Sequence, residues 1–166
     1  HLSIRRQRQM CIRDSLQGII YRNMGEAERA IQAHEASISL YKQVAYLPGL
    51  DRAYTNLGCV YQDLGHWDRA LDQFVKSAGL SERTGEQRQR AAAYINLSEI
   101  YYLKGELDRA IDSGIKARAI AENFGFEDYL ALVAINLGKT YLRKQDLSKA
   151  ARHLNAGLDI CRRLSM

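Results

Sequence analysis

A motif in this chain returns every forty residues. Asn56-Leu57-Gly58 is followed by Tyr61, Gly65 and Ala70. Asn96-Leu97-Ser98 is followed by Tyr101, Gly105 and Ala110, and Asn136-Leu137-Gly138 by Tyr141 and Ala150. Gly18, Tyr21, Gly25 and Ala30 hold the same register at the start. A unit of this length cannot bury its apolar face alone, so a fixed period means that neighbours stack on one another. The 166 residues accommodate four such units.

Each unit reads as two helices. In the second, Ala53, Tyr54, Leu57, Val60, Tyr61 and Leu64 fall at helical spacings of three and four, which predicts a first helix (A) over about 50–64. Gly65 stops it, and a second helix (B) runs over about 67–83 to Gly85. The third unit repeats the plan over 87–104 and 107–124, the fourth over 127–144 and 147–164. In the first unit helix B is predicted over 26–46, and Pro48 opens the next helix, where its missing N–H costs little. Gln145 stands where the other A–B turns have glycine, so that turn is expected to be strained.

Small residues mark the A–B contact. Gly18, Gly58, Ser98 and Gly138 are expected to face Ala30, Ala70, Ala110 and Ala150, with Tyr21, Tyr61, Tyr101 and Tyr141 filling the space beside them. This Asn-Leu-Gly…Tyr…Gly…Ala pattern resembles the tetratricopeptide repeat, in a variety with longer helices than the usual period of about 34 residues. The resemblance covers residues 16–164. It implies an all-α, right-handed solenoid of four helix-turn-helix repeats, at about 16–46, 47–85, 86–125 and 126–164. HEAT-type repeats share a period of about forty but lack this spacing. Two positions depart from the pattern: Gly114 and His34 stand where the family prefers an aromatic, so their B helices are expected to pack more loosely.

The first residues are set apart from this plan. Arg5–Ser15 back-translates to a string resembling the transposon-end adapter of sequencing libraries, so residues 1–15 are expected to be non-native and residues 16–166 to be part of a larger protein. Segments of foreign origin do not enter fold reasoning. The formal net charge of +5 owes +3 to Arg5, Arg6, Arg8 and Arg13 against Asp14. The remaining bias is slight, and Arg83, Arg88 and Arg90 are read as a solvated cluster, so no nucleic-acid partner is expected. Setting Cys11 aside leaves Cys59 and Cys161, which fit a reducing, cytoplasmic setting. No apolar run is long enough to span a membrane.

No catalytic or metal-binding constellation is legible. His34, His66 and His153 belong to different repeats and lack ligand spacing. Cys59 has no neighbouring histidine to activate it. The glycines are helix stops rather than a phosphate loop. Glu26, Glu28, Asp68, Glu106 and Asp108 open B helices, where negative charge suits the helix dipole. The chain is therefore expected to be non-catalytic and without a cofactor.

The family resemblance implies a concave groove lined by A helices, with Asn56, Asn96 and Asn136 pointing into it. An amide donates and accepts, so a ladder of asparagines can hold an extended backbone whatever its sequence. Arg52, Thr55, Cys59, Gln62 and Asp63 are expected on the same face. So are Ile95, Glu99, Tyr102 and Leu103, then Leu132, Ile135, Lys139, Leu142 and Arg143. Only Arg52, Lys139 and Arg143 supply positive charge, too few and too scattered for the chaperone-tail carboxylate clamp of some family members. The expected function is a scaffold holding a protein or peptide segment, with other domains of its own parent chain as further candidate partners. The alternative is the sensor arm of a larger bacterial signalling protein or transcriptional regulator, binding a small ligand or peptide. Leu154, Leu158 and Cys161 are expected near an uncovered end, which predicts self-association.

Overall fold

The computed structural model of the chain describes residue 13 and residues 15–164. Arg5, Arg6, Arg8, Cys11, Asp14 and the rest of 1–12 lie outside the described residues, and with them nearly all of the adapter-like segment; so do Ser165 and Met166. Eight α-helices and no strand occur among the described residues. They are α1 (15–23), α2 (Ala27–Gln43), α3 (Leu47–Asp63), α4 (Trp67–Thr84), α5 (Gln87–Lys104), α6 (Leu107–Phe124), α7 (Glu127–Arg143) and α8 (Leu147–Leu164). None of these helices is long and apolar enough to cross a membrane.

The chain divides into two compact units, His1–Gly85 and Glu86–Met166, and the division falls after the second repeat. In unit 1, α3 packs on both α2 and α4. In unit 2, α5 pairs with α6 and α7 with α8, while α7 also packs on α5 and α6. Odd-numbered helices are thus the A helices and even-numbered ones the B helices of a helical-repeat architecture.

The close A–B contact falls on the expected small residues, and the side chains nearest to it come from the B-helix position sixteen further on; Ser98 also meets the facing Ala110. A Cβ on Gly58 would stand 2.6 Å from the Phe74 ring, and one on Gly18 would stand 2.5 Å from the His34 ring. In the fourth repeat Leu154 covers Gly138 at 2.6 Å. The third repeat exchanges the sizes: Ser98 meets Gly114, and Leu137 from α7 fills the space that Gly114 leaves. His34, Gly114 and Leu137 are all buried, so the looser packing expected of the first and third B helices is not found. Ser98 donates a 2.8 Å hydrogen bond to the Ala110 carbonyl and so satisfies its buried hydroxyl.

Beside each contact the repeating tyrosine is covered by a cation from the start of helix B. Arg29, Arg69, Arg109 and Lys149 lie 4.1, 5.6, 4.2 and 5.3 Å from the rings of Tyr21, Tyr61, Tyr101 and Tyr141. Each such contact contributes about 0.5–1 kcal/mol at an exposed site. Glu26 and Glu106 then anchor Arg29 and Arg109 from the N-cap position.

Most predicted helix limits agree with the structure to within a residue. Two do not. α2 ends at Gln43, short of Tyr46, because Ala45 adopts φ 50° and breaks the helix, and α3 then begins at Leu47 with Pro48 in its first turn. The turn at Gln145 keeps the left-handed geometry of its glycine counterparts, at φ 63°. Non-glycine residues pay about 1–2 kcal/mol for that conformation.

Candidate functional site

The A helices meet edge to edge through side chains forty-one residues apart. In unit 1, Arg22 of α1 grips Asp63 of α3 with two hydrogen bonds, Nε–Oδ2 at 2.6 Å and Nη2–Oδ1 at 3.2 Å. That bond, more than any other influence, holds the guanidinium pKa above its ordinary value. In unit 2, Arg143 of α7 donates to the Tyr102 carbonyl of α5 at 2.6 Å and lies 5.3 Å from the centre of the Tyr102 ring. These contacts identify the face that the A helices share.

Within unit 2 that face holds a cavity of about 110 Å³ lined by Glu99, Tyr102 and Leu103 of α5 and by Asn136 and Lys139 of α7. It is the size of one aliphatic side chain, with an anion, a cation and an amide at its rim. All five residues come from the columns expected on the groove face, and the structure brings them together. Leu132 and Leu142 of α7 are 48% and 52% exposed and extend the apolar character of that helix. In unit 1, Asn56, Cys59 and Gln62 are half-buried and Arg52 is exposed on α3. Among the described residues the side chains of Asn56, Asn96 and Asn136 make no hydrogen bond.

Three expected groove residues point elsewhere. Thr55, Ile95 and Ile135 precede the asparagines by one position, about 100° around the helix, and turn towards the paired B helix. The Thr55 hydroxyl lies 2.9 Å from that of Ser77 on α4 and also bonds the Asp51 carbonyl. Ile95 is only 7% exposed and packs with Ala117, Val133 and Leu137 in the core of unit 2. Ile135 comes within 3.6 Å of the Cβ position of Gly157 on α8. Ser77, Ala117 and Gly157 share one register. The column therefore serves the hairpin, because α5 is apolar on two sides and its periodicity alone does not say which side faces a ligand.

Arg22, which pairs with Asp63 on the A-helix face of unit 1, is absent from the residues expected there; its forty-one-residue spacing to Asp63 was the available signal. Arg88, read as part of a solvated cluster, pairs with Asp128 at 2.5 Å and lies 4.5 Å from the Tyr129 ring centre. No group of three or more His, Cys, Asp or Glu residues able to hold a metal ion occurs among the described residues.

The family model for the tetratricopeptide repeat matches residues 11–83 and 89–163. No curated protein sequence matches the chain. Three solved structures are similar. BtubC (BKLC) from P. vanneervenii has 22% identity and a TM-score of 0.82 over 92% of this chain and 63% of its own. The apo form of RapI has 18% identity and a TM-score of 0.89 over 95% and 57%. A Rap protein complexed with competence and sporulation factor has 17% identity and a TM-score of 0.79 over 87% and 40%. At these identities the likeness is one of fold, and all three chains are considerably longer than this one.

Proposed function

Because the chain belongs to the tetratricopeptide-repeat family, matched over most of its length, we propose that it is a non-catalytic interaction module whose A-helix face holds an extended segment of another protein. The supporting observation is the cavity between α5 and α7, where Glu99, Tyr102, Leu103, Asn136 and Lys139 converge. An aliphatic side chain of the ligand enters it, against Tyr102 and Leu103. The Asn96 and Asn136 amides bond the ligand main chain on either side of that anchor, giving orientation without demanding a sequence. Asn56, Cys59 and Gln62 give the A-helix face of unit 1 a polar character of its own. Glu99 and Lys139 select against a ligand carrying the wrong charge beside its anchor.

A second reading is favoured by one observation: a structure of this fold was obtained with competence and sporulation factor bound. In that reading the module is the ligand-sensing arm of a longer bacterial regulator, acting in the cytoplasm. The two readings share the groove and differ in what it signals to.

Replacing Asn56, Asn96 and Asn136 by alanine tests the groove. Capture of peptides selected on the wild-type chain is expected to fall by about tenfold or more, the cost of two lost hydrogen bonds, with thermal unfolding unchanged. Unaltered capture by the triple variant contradicts the proposal.

A further inference from the structure

One corner of the fourth repeat departs from its counterparts. In unit 1 the buried Tyr54 ring of α3 lies between Lys42 of α2 and Lys76 of α4, at 5.9 and 5.8 Å. Lys76 is in turn paired with Asp72 at 2.5 Å. The α5–α6 hairpin repeats the arrangement: Lys116 lies 5.8 Å from the Tyr94 ring centre and pairs with Asp112 at 2.7 Å. In the α7–α8 hairpin the same three register positions hold Ala134, Ala156 and Arg152. The ring and the ammonium are gone, and the carboxylate has become a guanidinium.

The third hairpin has a cavity at this register, lined by Tyr94, Asp112, Ser113 and Lys116 among others, and the fourth has one of about 240 Å³ between α6, α7 and α8 whose charged groups differ. The cavity of the fourth hairpin is lined by the apolar Leu130, Ala134, Ala156 and Ile160 and by Arg118, Glu122, Arg152 and His153. Arg152 has no carboxylate within ion-pairing distance among the described residues. Arg118 reaches Glu122 of its own helix only at 3.7 Å, long for a strong pair. The His153 ring lies parallel to Tyr141 at 5.4 Å, which fixes its plane. Its pKa is held below the ordinary histidine value, first by burial and then by Arg118 and Arg152. Two guanidiniums thus meet apolar side chains and a neutral imidazole, with Glu122 3.7 Å from Arg118 and Asp146 within electrostatic reach of Arg152.

We propose that this cavity binds a carboxylate bearing an aryl or branched-alkyl group. The hydrocarbon part lies against Leu130, Ala134 and Ile160, Ala134 standing at the register of Tyr54 and Tyr94 in the earlier hairpins. The carboxylate lies between Arg118 and Arg152, whose planar guanidiniums match its two oxygens. An apolar pocket with a few convergent polar groups is the usual form of a small-ligand site. Glu122, at the rim, is the chain's own weak stand-in for the missing anion. The ligand is either a free small acid or the C-terminal residue of a polypeptide; both present the same chemistry. The cavity shares no residue with the α5–α7 groove, so its failure would leave that reading untouched.

The test is a titration of the full chain followed by the NMR resonances of the His153 ring. Adding 3-phenylpropanoate is expected to move these resonances saturably and to raise the His153 pKa, because an added negative charge favours the imidazolium. The neutral 3-phenylpropanamide is expected to leave them in place. Arg152→Gln, at an exposed site, is expected to keep the circular dichroism and weaken binding by about tenfold, the loss of one charge-assisted hydrogen bond. The triple variant Ala134→Tyr, Ala156→Lys, Arg152→Asp rebuilds the arrangement of the earlier repeats, and is expected to fold and to lose 3-phenylpropanoate, because the new carboxylate at position 152 repels that of the ligand. N-acetylphenylalanine separates the sources: binding equal to that of the free acid supports a polypeptide C-terminus, and binding of the free acid alone supports a small molecule. Silence of His153 towards 3-phenylpropanoate overturns the proposal. So does an equal response to the amide, or undiminished affinity in both variants.

Discussion

Unit 1 closes its hairpins with rings, while unit 2 closes them with aliphatic side chains. Gly18 and Gly58 lie under His34 and Phe74, each from the B helix of the same hairpin. In unit 2, Gly114 leaves a space that Leu137 fills from the next hairpin, and Gly138 lies under Leu154, which remains 38% exposed. What varies between the repeats is the group that closes the contact: a ring, an aliphatic chain from the same hairpin, or a leucine from the next one. Rings fix unit 1 rigidly and trap a histidine. In unit 2 the aliphatic closure leaves Gly114 and Gly138 beside leucines.

The sharpest break in that comparison comes from adding bulk to the two glycines. Gly58→Leu is expected to cost about 3 kcal/mol or more in urea unfolding, since Phe74 is fully buried and has nowhere to go. Gly138→Leu is expected to cost about 1 kcal/mol, because the half-exposed Leu154 can swing aside. Equal losses would mean that ring and aliphatic closures are equally rigid.

Next in size is the trapped histidine. His34 is buried against α1, and neither ring nitrogen has a hydrogen-bond partner among the described residues. Burial, helped by the charge of Arg22, lowers its pKa from 6.5 to about 4. The unfolded chain therefore takes up the proton first. Stability from this group is intact above pH 6.5, falls as pH drops towards 4, and is fully lost below that. The expected loss is about 3 kcal/mol, read as the urea midpoint against pH. His34→Leu should flatten that profile for unit 1; an unchanged slope would assign the acid sensitivity to another group. His153 of unit 2, less buried, should contribute less.

Smaller effects sharpen the picture at the turns. Gln145→Gly and Ala45→Gly are each expected to stabilise by about 0.5–1 kcal/mol, relieving left-handed strain while paying part of it back in chain entropy. Differential scanning calorimetry resolves the shift, and a loss of stability at either site would place the strain elsewhere.

How much of this was legible in the chain itself depends on the kind of signal. The forty-residue register located every hairpin, and α5, α6 and α8 begin and end where glycine and apolar spacing placed them. α2 was read too long because alanine is a good helix former, and Ala45 carries no mark of its positive φ. On the A-helix face, Glu99, Tyr102, Leu103, Asn136 and Lys139 were predicted and converge. Thr55, Ile95 and Ile135 were assigned to the wrong side, since a helix packed on two neighbours shows apolar residues in both directions. The basic cavity could be found only by setting repeats against one another, where Tyr54 and Tyr94 give way to Ala134. Read singly, Arg152 and Ala156 are ordinary surface residues.

The groove itself is tested most directly by mapping a selected peptide onto the chain. Peptides recovered from a random displayed library on the wild-type chain would be titrated while the side-chain amide resonances of Asn96 and Asn136 and the ring resonances of Tyr102 are followed by NMR. The account predicts that these resonances move together and saturate at one affinity. Binding that leaves all three in place while other surface residues respond would contradict it.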